Sequence, residues 1–435
     1  MPIYRTGNDV LPVSVRFRHL KHGATPHTGK VNIMITCGID IGKGKHAVAI
    51  IDELGRQLVR TRFYDNTMAG AEKLMEELAR HAEPAQVHVG MESTGNYWRA
   101  YYDFLSKKGC VVDVINPIVT SASSAGDIRG RKTDKRDAES IAEVVMRGKY
   151  VRRRDEGLQE RKLRALTRQR GFIVEERSAA KLHLSSMVAE AFAEFESLFE
   201  DPYGPLALAI LSKYPTACHM ARARKPSLAK IVRAHTRGRD ADAEARRLVD
   251  AAKDSISLAC EITDALARCI ASSIQTITAL DERVKDIEKA IMDFDPPDLA
   301  AKLMAIKGSG KVMPMVVASE FGDISRFRTN PKNGSETGMH KRLLAFAGCE
   351  PRIRESGKWR GRKFISKRGS RQLRTALYLI ANNIRQWDPY FKAVYDRKVE
   401  AGKHHNVAVF YVVAKLLEVL CALYKSGRSY AATQP

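Results

Sequence analysis

Ile33-Met34-Ile35-Thr36-Cys37-Gly38-Ile39-Asp40 is an apolar run that stops at a carboxylate, and the residues after it decide how it folds. Gly42-Lys43-Gly44-Lys45 has the composition of a tight turn, Ala47–Ile51 is a second apolar run, Leu54-Gly55-Arg56 opens another turn, and Leu58–Phe63 is a third run. Short β-branched runs separated by glycine-containing turns predict a three-stranded meander. Outward from it, Met68–His81 carries Leu74 and Leu78 at helical spacing. Val87–Met91 then reads as a strand, Tyr97–Lys107 as a helix, and Val111–Ile115 as a strand ended by Asn116-Pro117. Thr133 or Asp134 has the chemistry to cap a further helix through Ala138, Ile141, Val144 and Val145.

Meander, helix, strand, helix, strand, helix is the order of an RNase H-like α/β domain, here spanning residues 31–155. In such a sheet the first strand is central, and its acid meets acids from the fourth strand and a later helix. Asp40 ends the first strand, Glu92 ends the fourth, and Asp134 and Asp137 lie three apart, on one face of the last helix. Such a cluster can hold two divalent cations about 4 Å apart, clamping the attacking and leaving oxygens of a phosphodiester. Mg²⁺, which favours a few carboxylates completed by water, is the expected ion, two per site. Arg129, Arg131, Lys132, Lys135 and Arg136 would lie beside the phosphate. Each acid has a plainer use: Asp134 as a cap, Asp137 at the positive helix end, Glu92 starting a helix. Their joint occurrence on matching elements favours the cluster. The opening Gly38-Ile39-Asp40-Ile41-Gly42 also begins actin-like sugar kinases, but those need a second Asp-x-Gly loop in a duplicated domain, and no second copy is found.

The formal charge of +23, from 73 Lys and Arg against 50 Asp and Glu, calls for a polyanionic partner. Nucleic acid is favoured over a membrane surface, because no basic amphipathic segment stands out. With 435 residues and 44% hydrophobic content the chain should form two or three domains with real cores. No apolar leader opens it, and Val407–Tyr424, interrupted by Lys415 and Glu418, reads as a buried helix and not a membrane span. Seven scattered cysteines without a C-x-x-C pair point to reduced, buried thiols and a cytoplasmic protein. Residues 1–30 form a basic, irregular extension. Residues 156–297 lose the strand pattern. Two long helices, Leu163–Phe195 and Ala243–Met292, flank the proline-containing stretch 202–226, and the second has coiled-coil spacing from Ile270 onward. This region is expected to act as a helical linker and dimerisation element.

Residues 298–435 should form a mostly helical last domain. Within it, Lys307-Gly308-Ser309-Gly310-Lys311 separates two apolar helical stretches, a helix-hairpin-helix-like arrangement whose Gly308, Gly310 and Lys311 could present backbone N–H groups to a phosphate. It lacks the spacing of a P-loop. From Arg352 to Arg374 there are ten Lys or Arg and a single acid, Glu355. Arg352, Arg354, Lys358, Arg360, Lys367, Arg368 and Arg371 are candidate phosphate contacts, with strongly salt-dependent affinity as the consequence. A serine among them could attack phosphorus if its proton were removed and guanidinium groups held the phosphate oxygens. Chemistry alone does not choose between Ser356, Ser366 and Ser370.

Gly38-Ile39-Asp40-Ile41-Gly42-Lys43, Met91-Glu92-Ser93-Thr94-Gly95, Asn116-Pro117 and Thr133-Asp134-Lys135-Arg136-Asp137-Ala138 resemble the DEDD-type insertion-sequence transposases, whose first domain is similar to the Holliday-junction resolvase RuvC. Phe321-Gly322-Asp323-Ile324-Ser325-Arg326-Phe327 and the Ser-Gly pair before Ile365-Ser366-Lys367 resemble the same family's C-terminal domain. The polar stretch Asn333–His340 departs from its compact spacing. The resemblance implies that Asp40, Glu92, Asp134 and Asp137 are the metal-binding tetrad and that Ser356 is the nucleophile. It also implies double-stranded DNA as substrate, a homodimer or tetramer, and a guide RNA encoded by the element. Acids and serine fall on different domains, so they must meet within one chain or between protomers.

Overall fold

Apolar alternation and glycine-containing turns build a first unit whose strands fall close to the positions read from the sequence. A computed structural model describes residues 34–92, 97–115, 133–148, 150, 157–238, 240–259, 261–329, 337–352, 355–356, 359–360 and 364–431. The extension 1–30 lies outside them. The chain divides into Met1–Asp155 and Glu156–Pro435.

The first unit holds β1 (Ile35–Asp40), β2 (Lys45–Asp52), β3 (Gln57–Asp65), α1 (Met68–Ala79), β4 (Val87–Glu92), α2 (Trp98–Lys107), β5 (Val111–Ile115) and α3 (Asp134–Arg147). The strands form one mixed sheet in the order β3-β2-β1-β4-β5. β1 runs antiparallel to β2 and parallel to β4, and β4 runs parallel to β5. Because side chains alternate along a strand, Cys37, Ile39, Val89 and Met91 share one face and bury against Leu74, Leu78, Trp98 and Leu105 of α1 and α2. The opposite face belongs to α3, whose Ala138 packs on Ala47 and Ala49 while Ile141, Val144 and Val145 pack on Ile115.

Among the described residues, the second unit is helical apart from four two-residue strands. Its long helices α4 (Leu158–Ala191) and α9 (Thr263–Met292) pack on each other. Arg170 pairs with Glu288 and Arg177 with Asp281, so residue numbers rise on one helix as they fall on the other, which makes the pair antiparallel. Ile173 meets Leu280 and Val284 in the seam, so the coiled-coil spacing of α9 is satisfied within this chain. The expected single helix Ala243–Met292 is in fact two. α8 (Ala241–Lys253) ends at Asp254, a short 3₁₀ segment follows, and α9 begins at Thr263. The proline-containing stretch is helical too: α5 (Pro205–Lys213) and α7 (Lys225–His235) each carry proline in the first turn, where its missing N–H costs nothing, and α6 (Ala217–Ala221) lies between them. These helices bury a core of their own against Leu184, Val188, Ile270 and Ile277 at the far end of the antiparallel pair.

The near end of α4 joins a second core with α10 (Asp298–Met304), α11 (Val312–Phe321), α12 (Met339–Phe346), α13 (Arg371–Trp387), α14 (Pro389–Glu400) and α15 (His405–Ser426). Arg168 of α4 grips the Glu320 carboxylate of α11 through two hydrogen bonds, at 2.7 and 3.1 Å, and that carboxylate is only 3% exposed. Arg168→Ala would strand a buried charge. It is expected to destabilise this unit by about 3 kcal/mol, seen as a lower urea midpoint for its unfolding transition. α15 is long and apolar enough to cross a membrane by length and composition. Its Val409, Val412, Val413, Leu416, Leu417 and Leu420 nevertheless sit in the helical core, in line with the reading of Val407–Tyr424 as a buried helix.

Burial raises the Cys37 thiol far above its ordinary range and pushes Cys110 up to about 11, Cys349 to about 12 and Cys421 to about 11. The expectation of uniformly buried thiols fails at Cys269, which is exposed, and at Cys218, which is half-buried. Both lie on helices whose apolar stripe points elsewhere.

Candidate active site

Asp40 and Glu92 are the last residues of two adjacent parallel strands whose register runs to Ile39 opposite Met91. Alternation puts both on the α3 face, with Gly38 and Gly90 below them. These two glycines set how closely the helix lies on the sheet. A Cβ at Gly38 would fall 2.1 Å from the Ala138 carbonyl oxygen and 2.4 Å from the Ala142 nitrogen, and one at Gly90 would fall 2.2 Å from Val145. Only hydrogen fits there. α3 runs opposite to β1: Met146 lies over Gly55, in the turn beside the start of β1, whereas Ala138 packs against Gly38 and Ala47, the residue paired with Asp40. Its first turn, with Asp134 and Asp137, therefore lies at the carboxyl edge of the sheet where Asp40 and Glu92 end their strands. Gly38→Ala should push the helix off the sheet at about 3 kcal/mol, the upper range for overpacking, and lower the melting temperature accordingly.

Thr133 caps α3, its hydroxyl accepting from the Arg136 N–H at 3.4 Å, so neither aspartate serves as the cap. Asp134 is exposed, while Asp40, Glu92 and Asp137 are half-buried and each engaged by neighbours. The topology thus gathers the acids along one edge without closing them into a ligand cage. Among the described residues, no group of three or more His, Cys, Asp or Glu is drawn together tightly enough to hold a metal. The donor chemistry on offer, carboxylate oxygens at a sheet edge, suits Mg²⁺. Lys135 and Arg136 are exposed beside them, and Arg129, Arg131 and Lys132 lie outside the described residues.

Below the acids on the same face is a polar cluster that the sequence reading did not anticipate. His88 Nε2 meets the Asp113 carboxylate at 2.7 Å, and the Tyr150 hydroxyl donates to the same oxygen at 2.5 Å. Alternation along β4 and β5 brings His88 and Asp113, two positions out of register with each other, to this face, and Tyr150 reaches them from just beyond α3. The cluster fastens the end of the helix whose start carries the acids. Glu139 fastens its middle, accepting from Thr61 on β3 at 2.8 Å.

In the second unit the basic segment is a nested pair of ladders. β6 (Pro351–Arg352) pairs antiparallel with β9 (Phe364–Ile365), and inside it β7 (Glu355–Ser356) pairs with β8 (Trp359–Arg360). Ser356 pairs with Trp359 and is the last residue of β7. Arg354 and Lys358 lie outside the described residues, and Arg352 and Arg360 are placed by backbone alone. The base of the segment is pinned: at Gly348 (φ 68°) a Cβ would meet the Arg368 carbonyl at 2.3 Å, and at Gly369 (φ 130°) one would meet the Phe346 carbonyl at 2.2 Å. Lys367 and Arg368 are exposed there, and Arg371 pairs with Glu175 at 3.3 Å. Ser370 is spent as the cap of α13, accepting from the Leu373 N–H at 3.2 Å, and Ser366 accepts weakly from the Arg368 N–H at 3.4 Å. Both serines have structural duties.

The turn between α10 and α11 has Gly308 at φ 90° and Gly310 at φ 70°. Gly310 and Lys311 are exposed, and the space above Gly310 is open.

Comparison with known proteins agrees with this division. A DEDD-type IS110 model described as a transposase matches residues 37–193, and a second, described as the transposase IS116/IS110/IS902 family, matches residues 300–396. The first covers the sheet, the acids and α4; the second covers the Gly308–Gly310 turn, the basic ladders and α13. The chain is a transposase, an enzyme that cuts and rejoins DNA. It belongs to the IS110/IS116/IS902 family of insertion-element transposases. Its relatives include the uncharacterized 42 kDa protein of insertion element IS900 from Mycobacterium paratuberculosis, 27% identical across 91% of this chain and 97% of that protein. The uncharacterized 44.8 kDa protein of IS116 from Streptomyces clavuligerus is 26% identical across 92% and 97%.

Proposed function

We propose that the first unit is an RNase H-like, RuvC-like domain in which Asp40, Glu92, Asp134 and Asp137 hold Mg²⁺, and that Ser356 is the nucleophile of a two-step strand transfer. The observation that carries this is the close crossing of α3 over Gly38 and Gly90, which sets the helix's first turn at the same edge as the two strand-end carboxylates. When bound there, two Mg²⁺ ions would offset the charge on the attacking and leaving oxygens. In the first step the Ser356 Oγ bonds to phosphorus and the bridging P–O bond breaks, the serine proton ending on the released DNA hydroxyl. In the second, the hydroxyl of another DNA end attacks the phosphoserine, and the Oγ leaves and regains a proton. No bond energy is lost to water, so strands are rejoined without a further energy source. Arg352, Arg354, Lys358, Arg360, Lys367, Arg368 and Arg371 hold phosphate oxygens, and Arg129, Arg131, Lys132, Lys135 and Arg136 do so near the acids. Gly308, Gly310 and Lys311 contact a DNA backbone. The protein works in the cytoplasm as a homodimer or tetramer on double-stranded element ends and target DNA, with residues 156–297 contributing to assembly. A guide RNA from the element selects the sites.

Incubation with a nicked substrate, followed by denaturation, nuclease trimming and mass spectrometry, tests the central step. A nucleotide-bearing peptide with the modification on Ser356 is expected. Cleaved strands with no protein attached would mean that the acids act alone by hydrolysis, as in a junction endonuclease.

A further inference from the structure

Trp387, at the end of α13, is 55% exposed, unusual for the largest apolar side chain. It stands beside the Gly308–Gly310 turn. A Cβ on Gly308 would fall 2.6 Å from the Trp387 ring, so the turn backbone lies directly on the indole, and Lys307 Nζ sits 5.7 Å from the ring centroid. Asn383, one helical turn before Trp387, donates its side-chain amide to the Gly308 carbonyl. Ser309 is buried and its N–H bonds back to Ile306 at 3.1 Å. The turn is therefore held in one shape against α13, with its carbonyl directed inward. Among the described contacts, the N–H groups of Gly308, Gly310 and Lys311 have no acceptor. Exposed Lys307 and Lys311 flank these donors.

Two kinds of group thus share one small surface: cations with unused backbone donors, which suit a phosphate, and an exposed aromatic ring, which suits a base. Within a duplex the bases are stacked on each other and offer no face to a side chain. An indole beside a phosphate-binding turn therefore matches an unpaired nucleotide. We propose that Trp387 is a stacking platform for an unpaired base of a DNA or RNA strand whose phosphate is held by Lys307, Lys311 and the turn. This rests on the proposed role of Gly308, Gly310 and Lys311 in contacting a nucleic-acid backbone and adds the nature of the contacted strand.

The test measures fluorescence anisotropy with labelled single-stranded DNA, single-stranded RNA of the same sequence, and a blunt DNA duplex, without divalent metal, for wild type, Trp387→Ala and Trp387→Phe. Trp387→Ala should weaken single-strand binding about tenfold, and Trp387→Phe, which keeps a ring against Gly308, should restore most of it. Duplex binding should stay within about twofold, as expected where phosphate contacts dominate. A loss confined to DNA or to RNA identifies the source of the strand. Unchanged single-strand binding in Trp387→Ala, or an equal loss on the duplex, overturns the platform. Wild type binding none of the three would instead sink the nucleic-acid role of the turn, a separate result. Thermal melting of both variants separates a lost contact from a displaced turn.

Discussion

Ser356→Ala is expected to abolish the covalent protein–DNA adduct and to lower strand exchange by on the order of 10⁴-fold or more, the scale on which removing a nucleophile acts. The expectation starts from what the hydroxyls of the basic segment already do. Ser370 caps α13 and Ser366 supports the Arg368 N–H, so each is held in a local bond. Ser356 instead ends the two-residue strand β7, whose backbone pairs with Trp359 of β8 within the span of the outer ladder. A nucleophile needs cations close by to receive the charge that develops on phosphate, and Ser356 lies between Arg352 and Arg360 in the most basic stretch of the chain. Losing one hydroxyl at the end of a two-residue strand should leave the melting temperature and the affinity for substrate nearly unchanged. The defect should therefore appear in rate alone. Ser370→Ala is the useful contrast: loss of a cap costs about 1 kcal/mol of stability, and any fall in exchange should follow the fall in folded fraction. If Ser356→Ala still exchanged strands while Ser370→Ala or Ser366→Ala did not, the assignment of the nucleophile would be wrong.

The first unit was legible in the sequence almost element by element, because its signals are local. Each strand is a short apolar run closed by glycine, proline or a carboxylate, and the observed strand ends at Asp40 and Glu92 fall where the runs stop. The helical unit was less legible. Ala243–Met292 keeps an apolar period straight through Asp254–Ile262, so periodicity alone joins two helices that a 3₁₀ turn separates. The stretch 202–226 reads only as a proline-containing separator between long helices, yet it is itself helical, with Pro205 and Pro226 tolerated in first turns. The partner of the coiled-coil stripe on α9 was not in its own pattern at all. α4 supplies it through Arg170, Ile173 and Arg177, more than a hundred positions earlier. The candidate site divides the same way. Strand-end acids and a basic loop can be read residue by residue. Gly38, Gly90, the His88–Asp113–Tyr150 cluster and the seat of Trp387 on Gly308 depend on which elements lie against each other, and spacing does not encode that.

Asp40→Asn is expected to reduce cleavage and exchange by about 10³-fold while leaving the fold intact, because the amide keeps the shape and removes only the charge that a metal requires. Asp40 has no capping duty to lose: it closes β1 rather than opening a helix, and Thr133 serves α3. Carboxylates gathered along one edge repel when no cation lies between them, which offsets what Asp40→Asn gives up in its contacts with neighbours, so the melting temperature of the metal-free protein should change little. Adding Mg²⁺ should then raise the melting temperature of wild type and do so far less for Asp40→Asn, a readout independent of catalysis. Glu92→Gln should behave the same way, since it is the neighbouring strand end on the same face. Asp134→Asn is informative for a different reason. At the first position of α3 it favours the positive helix end, a contribution of about 0.5 kcal/mol, so a purely structural Asp134 would show a small stability loss and full activity. A collapse in exchange comparable to that of Asp40→Asn, with Mg²⁺ stabilisation lost as well, places Asp134 among the metal ligands. Normal Mg²⁺ stabilisation in all three variants would mean that the ion binds elsewhere and that the acids serve the fold.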